Sequence, residues 1–199
     1  PFVFGGFGMA SKISICNTAL IALGDTPIAA FPPTETTTRA KQCANIYDDV
    51  RDSVLREHTW SCARKRAIVS PDVAAPAFGF AYQFTLPADC LRVLSITQNG
   101  EQADYRTESG KLLANVAALY LSYIWQNDEP ASYDALLVSA LSWAIAARLG
   151  YAIPGSAALM QTMEGKYQQV INQAKAVNAQ EYPFPPMPES SLITTRAIG

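Results

Sequence analysis

The sequence predicts an α+β chain that is mainly α: an antiparallel helix bundle with an inserted small antiparallel β unit and extended termini. Three observations carry this. Most of the chain repeats its apolar residues at helical spacing, the stretch over about 80–125 switches to a period of two, and both ends lack either period. At 199 residues the chain is expected to form one domain, or one domain with an elaboration, on a prior of about 150 residues per domain. The expected organisation is an extended N-terminal arm over 1–12, a main domain over 13–180 and a docking tail over 181–199.

Ile13, Cys16, Ala19, Leu20 and Leu23 share one helical face and Gly24 stops the run, which predicts a first helix over about 13–23. Residues 25–33 read as a loop. Thr34 or a neighbouring threonine is expected to cap a second helix over 34–57, with Glu35 in its first turn. Its apolar face is Ala40, Cys43, Ala44, Tyr47, Val50, Val54 and Leu55. Its other face, with Arg39, Lys41, Asp48, Asp49, Arg51, Asp52 and Arg56, is expected to be solvated or to meet a partner.

Residues 51–66 carry a local net charge of +3, and Arg64, Lys65 and Arg66 are adjacent. A solvated turn is the favoured reading, with phosphate contact as the alternative. Residues 70–79 form a loop rich in Pro and Ala. Phe80, Tyr82, Phe84 and Leu86 then alternate, predicting a strand with one aromatic face. A second strand is expected over 91–97, a turn at Asn99-Gly100, a hairpin around Glu108-Ser109-Gly110 and a last strand over 119–125.

The third helix is expected over 130–149 and is the core of the chain. Between Ala135 and Ala147 its only polar side chains are Ser139 and Ser142. A helix apolar on nearly every face is either packed on several sides or spans a membrane. A span needs about 20 apolar residues, and this run is shorter. Asn127-Asp128 before it and Pro130 in its first turn give it a start, and Gly150 a stop. A fourth helix is expected over 155–178, with Leu159, Met160, Met163, Tyr167, Val170, Ile171, Ala174 and Val177 inward. Four prolines between 183 and 188 forbid helix beyond it and favour an extended course.

Hydrophobic residues make up 49% of the chain, enough for a core, while charged residues at 16% fall below the usual share of about 25%. A surface largely covered by partners would explain the low charge; so would a Thr/Ser/Gln-rich globule. The formal charge of -2 gives no general attraction to nucleic acid or membrane. Cys16, Cys43, Cys62 and Cys90 form no CxxC pair and there is one histidine, so no zinc set is expected and the thiols read as reduced. No cofactor motif of the P-loop, GxGxxG, GxSxG or HExxH type is present. Residues 1–8 lack a signal-peptide pattern. Met9-Ala-Ser-Lys12 reads as a natural start, which makes 1–8 a leader, tag remnant or upstream extension.

Catalytic candidates are thin. His58 and Cys62 stand four apart and would share a helix face, but no third group orients them and Trp60 between them suggests a buried helix end. Asp48-Asp49 and Asp128-Glu129 are better explained by solvation and capping than by acid–base chemistry, because adjacent helical residues point apart. Phe80, Tyr82 and Phe84 could stack bases, with Arg92 as their one cation, but core packing is the favoured role. No catalytic residue is assigned.

A longer pattern is recognisable. Cys16-Asn-Thr-Ala-Leu-Ile-Ala-Leu-Gly24 is followed by Ala44-x-x-Tyr47-Asp-x-x-Arg51 and by Trp60-x-x-Ala63-x-x-Arg66. Then come Tyr82-x-Phe84-x-Leu86-Pro-x-Asp89-Cys-Leu-Arg-Val93, Tyr105-Arg106, the strand over 119–123, and Ala140-Leu-x-x-Ala144. Over about residues 13–178 the chain resembles the phage tail tubular protein A-like head-to-tail adaptors, also called connector or tail accessory proteins. The Tyr82 to Val93 string is the most specific part.

The resemblance implies a structural virion protein rather than an enzyme. Its partners would be copies of itself in a ring, with a dodecamer as the family state, the portal above and a tail or nozzle protein below. Double-stranded DNA would pass through the channel without sequence-specific binding. It would sit at the neck of the virion after assembly in the host cytoplasm, with no membrane and no cofactor. Arg64, Lys65 and Arg66 are candidates for a channel-facing or partner-facing basic belt. In the tail, Tyr182, Phe184, Met187, Leu192, Ile193 and Arg196 are the candidate portal anchors, since aromatic, Met and Arg residues dominate interfaces. Alternatives are a tail-associated enzyme such as a peptidoglycan hydrolase, which needs a convincing constellation, and a small DNA-binding protein, which needs a basic surface.

Overall fold

The computed structural model describes residues 10–98, 101–150 and 157–181. In chain order the elements are α1 (Lys12–Ala22), α2 (Thr38–Glu57), β1 (Arg64–Val69), β2 (Tyr82–Thr85), β3 (Cys90–Gln98), β4 (Glu101–Gln102), β5 (Tyr105–Glu108), β6 (Lys111–Ala114), β7 (Leu119–Trp125), α3 (Ala135–Gly150) and α4 (Ala157–Glu181).

This corrects the expected class. The chain is 46% helical and 22% strand in two antiparallel sheets, an α+β fold rather than a mainly helical bundle with one small β unit. The strands order as β1-β7-β3-β4 in the larger sheet and β2-β6-β5 in the smaller. The larger sheet takes its edge from β1, which lies outside the 80–125 window and was expected to be a turn. Its RKRAIV sequence hides a period of two. Lys65, Ala67 and Val69 lie opposite Tyr123, Leu121 and Leu119, while Arg64, Arg66 and Ile68 take the alternate positions. Three consecutive basic residues mask the alternation because a lysine can face inward with its ammonium at the rim.

The two sheets enclose a core of their own. Ile96, Leu119, Leu121 and Tyr123 from the larger sheet pack with Phe84, Leu112 and Ala114 from the smaller. The aromatic strand face is therefore core: Phe84 is fully buried, which removes it as a base-stacking platform, and Tyr82 lies at the margin. The hairpin turn between β5 and β6 is Ser109-Gly110, both at positive φ, as a two-residue type I′ connection requires.

The other face of the larger sheet meets the helices. Ile124 of β7 and Leu91 and Leu94 of β3 join the helical core. Two bulges make this possible. Cys90, Arg92, Val93, Ser95 and Ile96 pair with β7, and Leu91 and Leu94 are the extra residues between them. Each bulge inserts one residue and re-aims a side chain. The result is a strand that sends Cys90, Val93 and Ile96 to the sandwich at a spacing of three, not two.

α3 contacts α1, α2 and α4. Its cap is Asp134, whose carboxylate accepts from the N–H groups of Leu136 and Leu137, both at 2.8 Å. Pro130 was expected in its first turn; instead Pro130–Ser132 is a separate 3-10 turn. α2 starts at Thr38 with Thr37 as cap, later than expected, since Glu35 braces the preceding loop by accepting from the backbone of Ala29 and Ala30. Gly24, at φ +72°, closes α1 in a Schellman turn, with Asp25 N–H donating to Leu20 O at 2.9 Å. α4 runs to Glu181, three residues beyond the expected stop.

Arg51 was expected on the solvated face of α2. It is only 3% exposed and forms ion pairs with Asp48, Asp52 and Asp128. Asp128, expected to help cap the core helix, instead pairs with Arg51 and with Lys12 of α1 at 2.6 Å. The guanidinium thus ties α2 to the segment leading into α3. Removing it would leave Asp48 and Asp128 to rehydrate, since both side chains are about half exposed or more.

Two variants check this packing by urea denaturation. Arg51→Ala is expected to cost about 2 kcal/mol, less than a fully buried pair because the carboxylates regain water; a change under about 0.5 kcal/mol would contradict the node. Phe84→Ala is expected to cost about 3–5 kcal/mol, whereas Tyr82→Ala should cost less than about 1 kcal/mol. Equal effects at the two positions would place the sandwich core wrongly.

Candidate functional site

The strand alternation divides the basic cluster. Lys65 turns toward the sandwich rim, where its ammonium pairs with Asp89 at 2.7 Å and lies 4.6 Å from the Trp125 ring centre. Burial raises the Asp89 pKa, but Lys65 and the Tyr123 hydroxyl, donating at 3.1 Å, outweigh it and hold the carboxyl below its usual range. Arg64 and Arg66 take the opposite face with Ile68. So the three candidates form no single belt: one is held in an ion pair on one side of β1, and two lie on the other.

Arg64 and Arg66 overlook a concavity of about 850 Å³. Thr59, just beyond α2, lines one side; Ser95, Ile68 and Tyr120 line the floor. This is an elbow where the larger sheet extends past the helices. Ile68 is 72% exposed and Tyr120 48%, so apolar surface stands beside the arginines. These two residues were not singled out from the sequence. The signal was present in the alternation of β1 and β7, which leaves both on the face away from the sandwich.

A second uncovered surface is the loop between β1 and β2. Asp72 anchors its start by accepting from Lys111 at 2.7 Å and from the Thr85 hydroxyl at 2.9 Å. Its end is fixed where Ala81 N–H donates to Asn115 at 2.9 Å. The arc between, VAAPAFGF, has no charged residue. Val73 is fully exposed and Phe78 88% exposed. The legible signal was an aperiodic apolar run without charge, which neither a core strand nor a solvated loop needs.

The His58–Cys62 pair does not share a helix face. α2 ends at Glu57, His58 is extended, and Cys62 sits in a separate 3-10 turn over Ser61–Ala63. Burial pushes the Cys62 thiol up to about 11, with Asp134 adding to the shift, so it is protonated at neutral pH. The His58 ring packs edge-on to Trp60 at 4.9 Å, and its Nε2 is buried without a partner among the described residues. Burial, then Lys175 and Arg92, lower its pKa, against the smaller opposing effects of Glu57 and Asp134. Among the described residues no group of three or more His, Cys, Asp or Glu could hold a metal ion. The candidate tail anchors Tyr182, Phe184, Met187, Leu192, Ile193 and Arg196 lie outside the described residues. No protein-family model and no curated protein matches the chain.

A pH dependence follows from His58. Its folded pKa lies below the ordinary 6.5, so as pH falls the unfolded chain takes up the proton first. The stability is fully present above about pH 6.5 and is lost as pH falls through the lowered folded value. Asp72, Asp89 and Glu35, all held low, act below that window. His58→Gln is expected to flatten melting temperature against pH between about pH 7 and 5. Identical slopes in the two proteins would rule His58 out as the cause.

Proposed function

We propose that this chain is a structural virion protein, a head-to-tail adaptor whose copies form a ring joining the portal to the tail and continuing the DNA channel. One observation carries the proposal: large apolar side chains stand uncovered in the Val73–Phe78 arc and on the Ile68–Tyr120 face. A monomeric enzyme has no need of an apolar arc anchored at both ends, whereas a subunit of an assembly does. The resemblance of the Tyr82 to Val93 string supplies the kind of assembly. Those residues build β2 of the smaller sheet and the start of the bulged β3, which joins the sandwich to the helices.

Channel and portal contacts follow from the same proposal. Repeated around a ring, Arg64 and Arg66 give a basic belt that faces the channel or the neighbouring partner; few positive charges per copy suit DNA that must slide rather than bind tightly. The tail over 181–199 is the proposed portal arm. Its proline run restricts the chain before binding and so lowers the ordering entropy lost on docking. Leu192-Ile-Thr-Thr195 has β-favouring residues that could add to a sheet edge on the portal, and Arg196 could pair with an acidic portal surface.

Truncation after Gln180 tests the arm. The shortened chain is expected to stay soluble and helical, with stability within about 0.5 kcal/mol of the full chain, and to lose most of its binding to purified portal in a pull-down or by calorimetry. Full affinity in the truncated chain would assign attachment to the folded domain instead.

A further inference from the structure

The larger sheet has two open edges, and they differ in charge. At one end stands β1, with Arg64, Lys65 and Arg66. At the other stands β4, with Glu101 and Gln102, followed by Asp104. Arg66, Glu101 and Asp104 are all exposed. Among the described residues none of the three makes an ion pair. Over residues 65–69, beyond the pairing with β7, no backbone hydrogen bond to another element is made among the described residues.

We propose that copies of this chain join edge to edge through this sheet, the basic β1 edge of one against the acidic β4 end of the next. The inference rests on the ring proposed above and names the surface that closes it.

Strand direction supports the pairing. β1, β7, β3 and β4 alternate strictly, each antiparallel to its neighbour. Sheets placed side by side in the same orientation therefore set β4 of one copy antiparallel to β1 of the next. In an antiparallel ladder the directly opposed side chains are closest, so opposite charges attract and like charges repel across the seam. The two edges differ, so the contact is heterologous: each copy uses both, and repetition closes a ring when the rotation per copy divides a full turn.

β4 is only two residues long, so the ladder alone is too small. A stable interface covers about 800 Å² per partner. Ile68 lies in β1 itself and Tyr120 is its partner in β7, so a neighbour seated on the edge also begins to cover the exposed apolar face. A row of basic residues on an edge strand can also serve simply to repel other strands. That role gives no reason for acid at the opposite edge, and the two roles predict different behaviour on charge reversal.

The test is a charge swap in the full chain, followed by sedimentation velocity at rising concentration, with circular dichroism as the check on folding. Arg66→Glu and Glu101→Arg are each expected to weaken self-association about tenfold. The double variant, with both charges exchanged, is expected to recover most of it. Folded single variants that assemble like the parent overturn the edge pairing and leave an adaptor role intact. A double variant no better than the singles also overturns it. A parent chain that assembles through these charges but never binds portal overturns the adaptor role alone. A parent chain that stays monomeric at every concentration, with and without portal, overturns both.

Discussion

Everything else in the structure depends on one constraint: the larger sheet is buried on both faces over part of its length and on one face over the rest. Leu119, Leu121 and Tyr123 of β7 face the smaller sheet, and Ile124 faces the helices. A sheet with a hydrophobic layer on each side cannot keep a simple apolar–polar alternation in every strand. β7 meets the demand by alternation, β3 by two bulges. Leu91 and Leu94 are the residues that the bulges release to the helical core. Where the helices stop, the same sheet face carries Arg66, Ile68 and Tyr120 into the open.

The junction between sheet and helices is polar, and around Asn127 its hydrogen bonds are all made. Asn127, buried just beyond β7, donates to Cys62 O at 2.8 Å and to Ser132 at 2.9 Å. Tyr133 donates its hydroxyl to Asn127 O at 2.6 Å, and the Trp125 indole donates to Cys62 O at 3.3 Å. These bonds fix the end of β7 against the start of β1 and aim the chain into α3. Beside them Arg51 ties the same segment to α2. Buried networks with every member paired specify one arrangement, because a half-made one leaves desolvated groups unmatched. The rigid junction puts the variable chemistry at the periphery: the elbow, the apolar arc and the two sheet edges.

Those peripheral surfaces combine few charges with exposed apolar area, which is the composition the proposed assembly needs. The charges are also sorted, basic along β1 and acidic around β4. Sorting of this kind gives direction to association, since like edges repel and unlike edges attract.

Three of the helices were legible because apolar repeats over ten or more residues depend mainly on local spacing, α3 because its apolar run lies between start and stop signals, and the Ser109-Gly110 turn because its backbone needs positive φ. Residue identity alone also carried the apolar character of α3 and the strand nature of β7. The interior place of Arg51, the strand nature of RKRAIV and the division of the smaller strands into a second sheet were decided only by tertiary contacts. An arginine on α2 can be buried when a distant carboxylate, Asp128, joins its helical neighbours Asp48 and Asp52 around it. A basic hexapeptide becomes a strand when β7 supplies its hydrogen bonds. Both are pairings across tens of residues, and no local period records them. The same holds for the candidate surfaces: the basic run was visible as a run, but which face each of its residues takes was set by the register against β7.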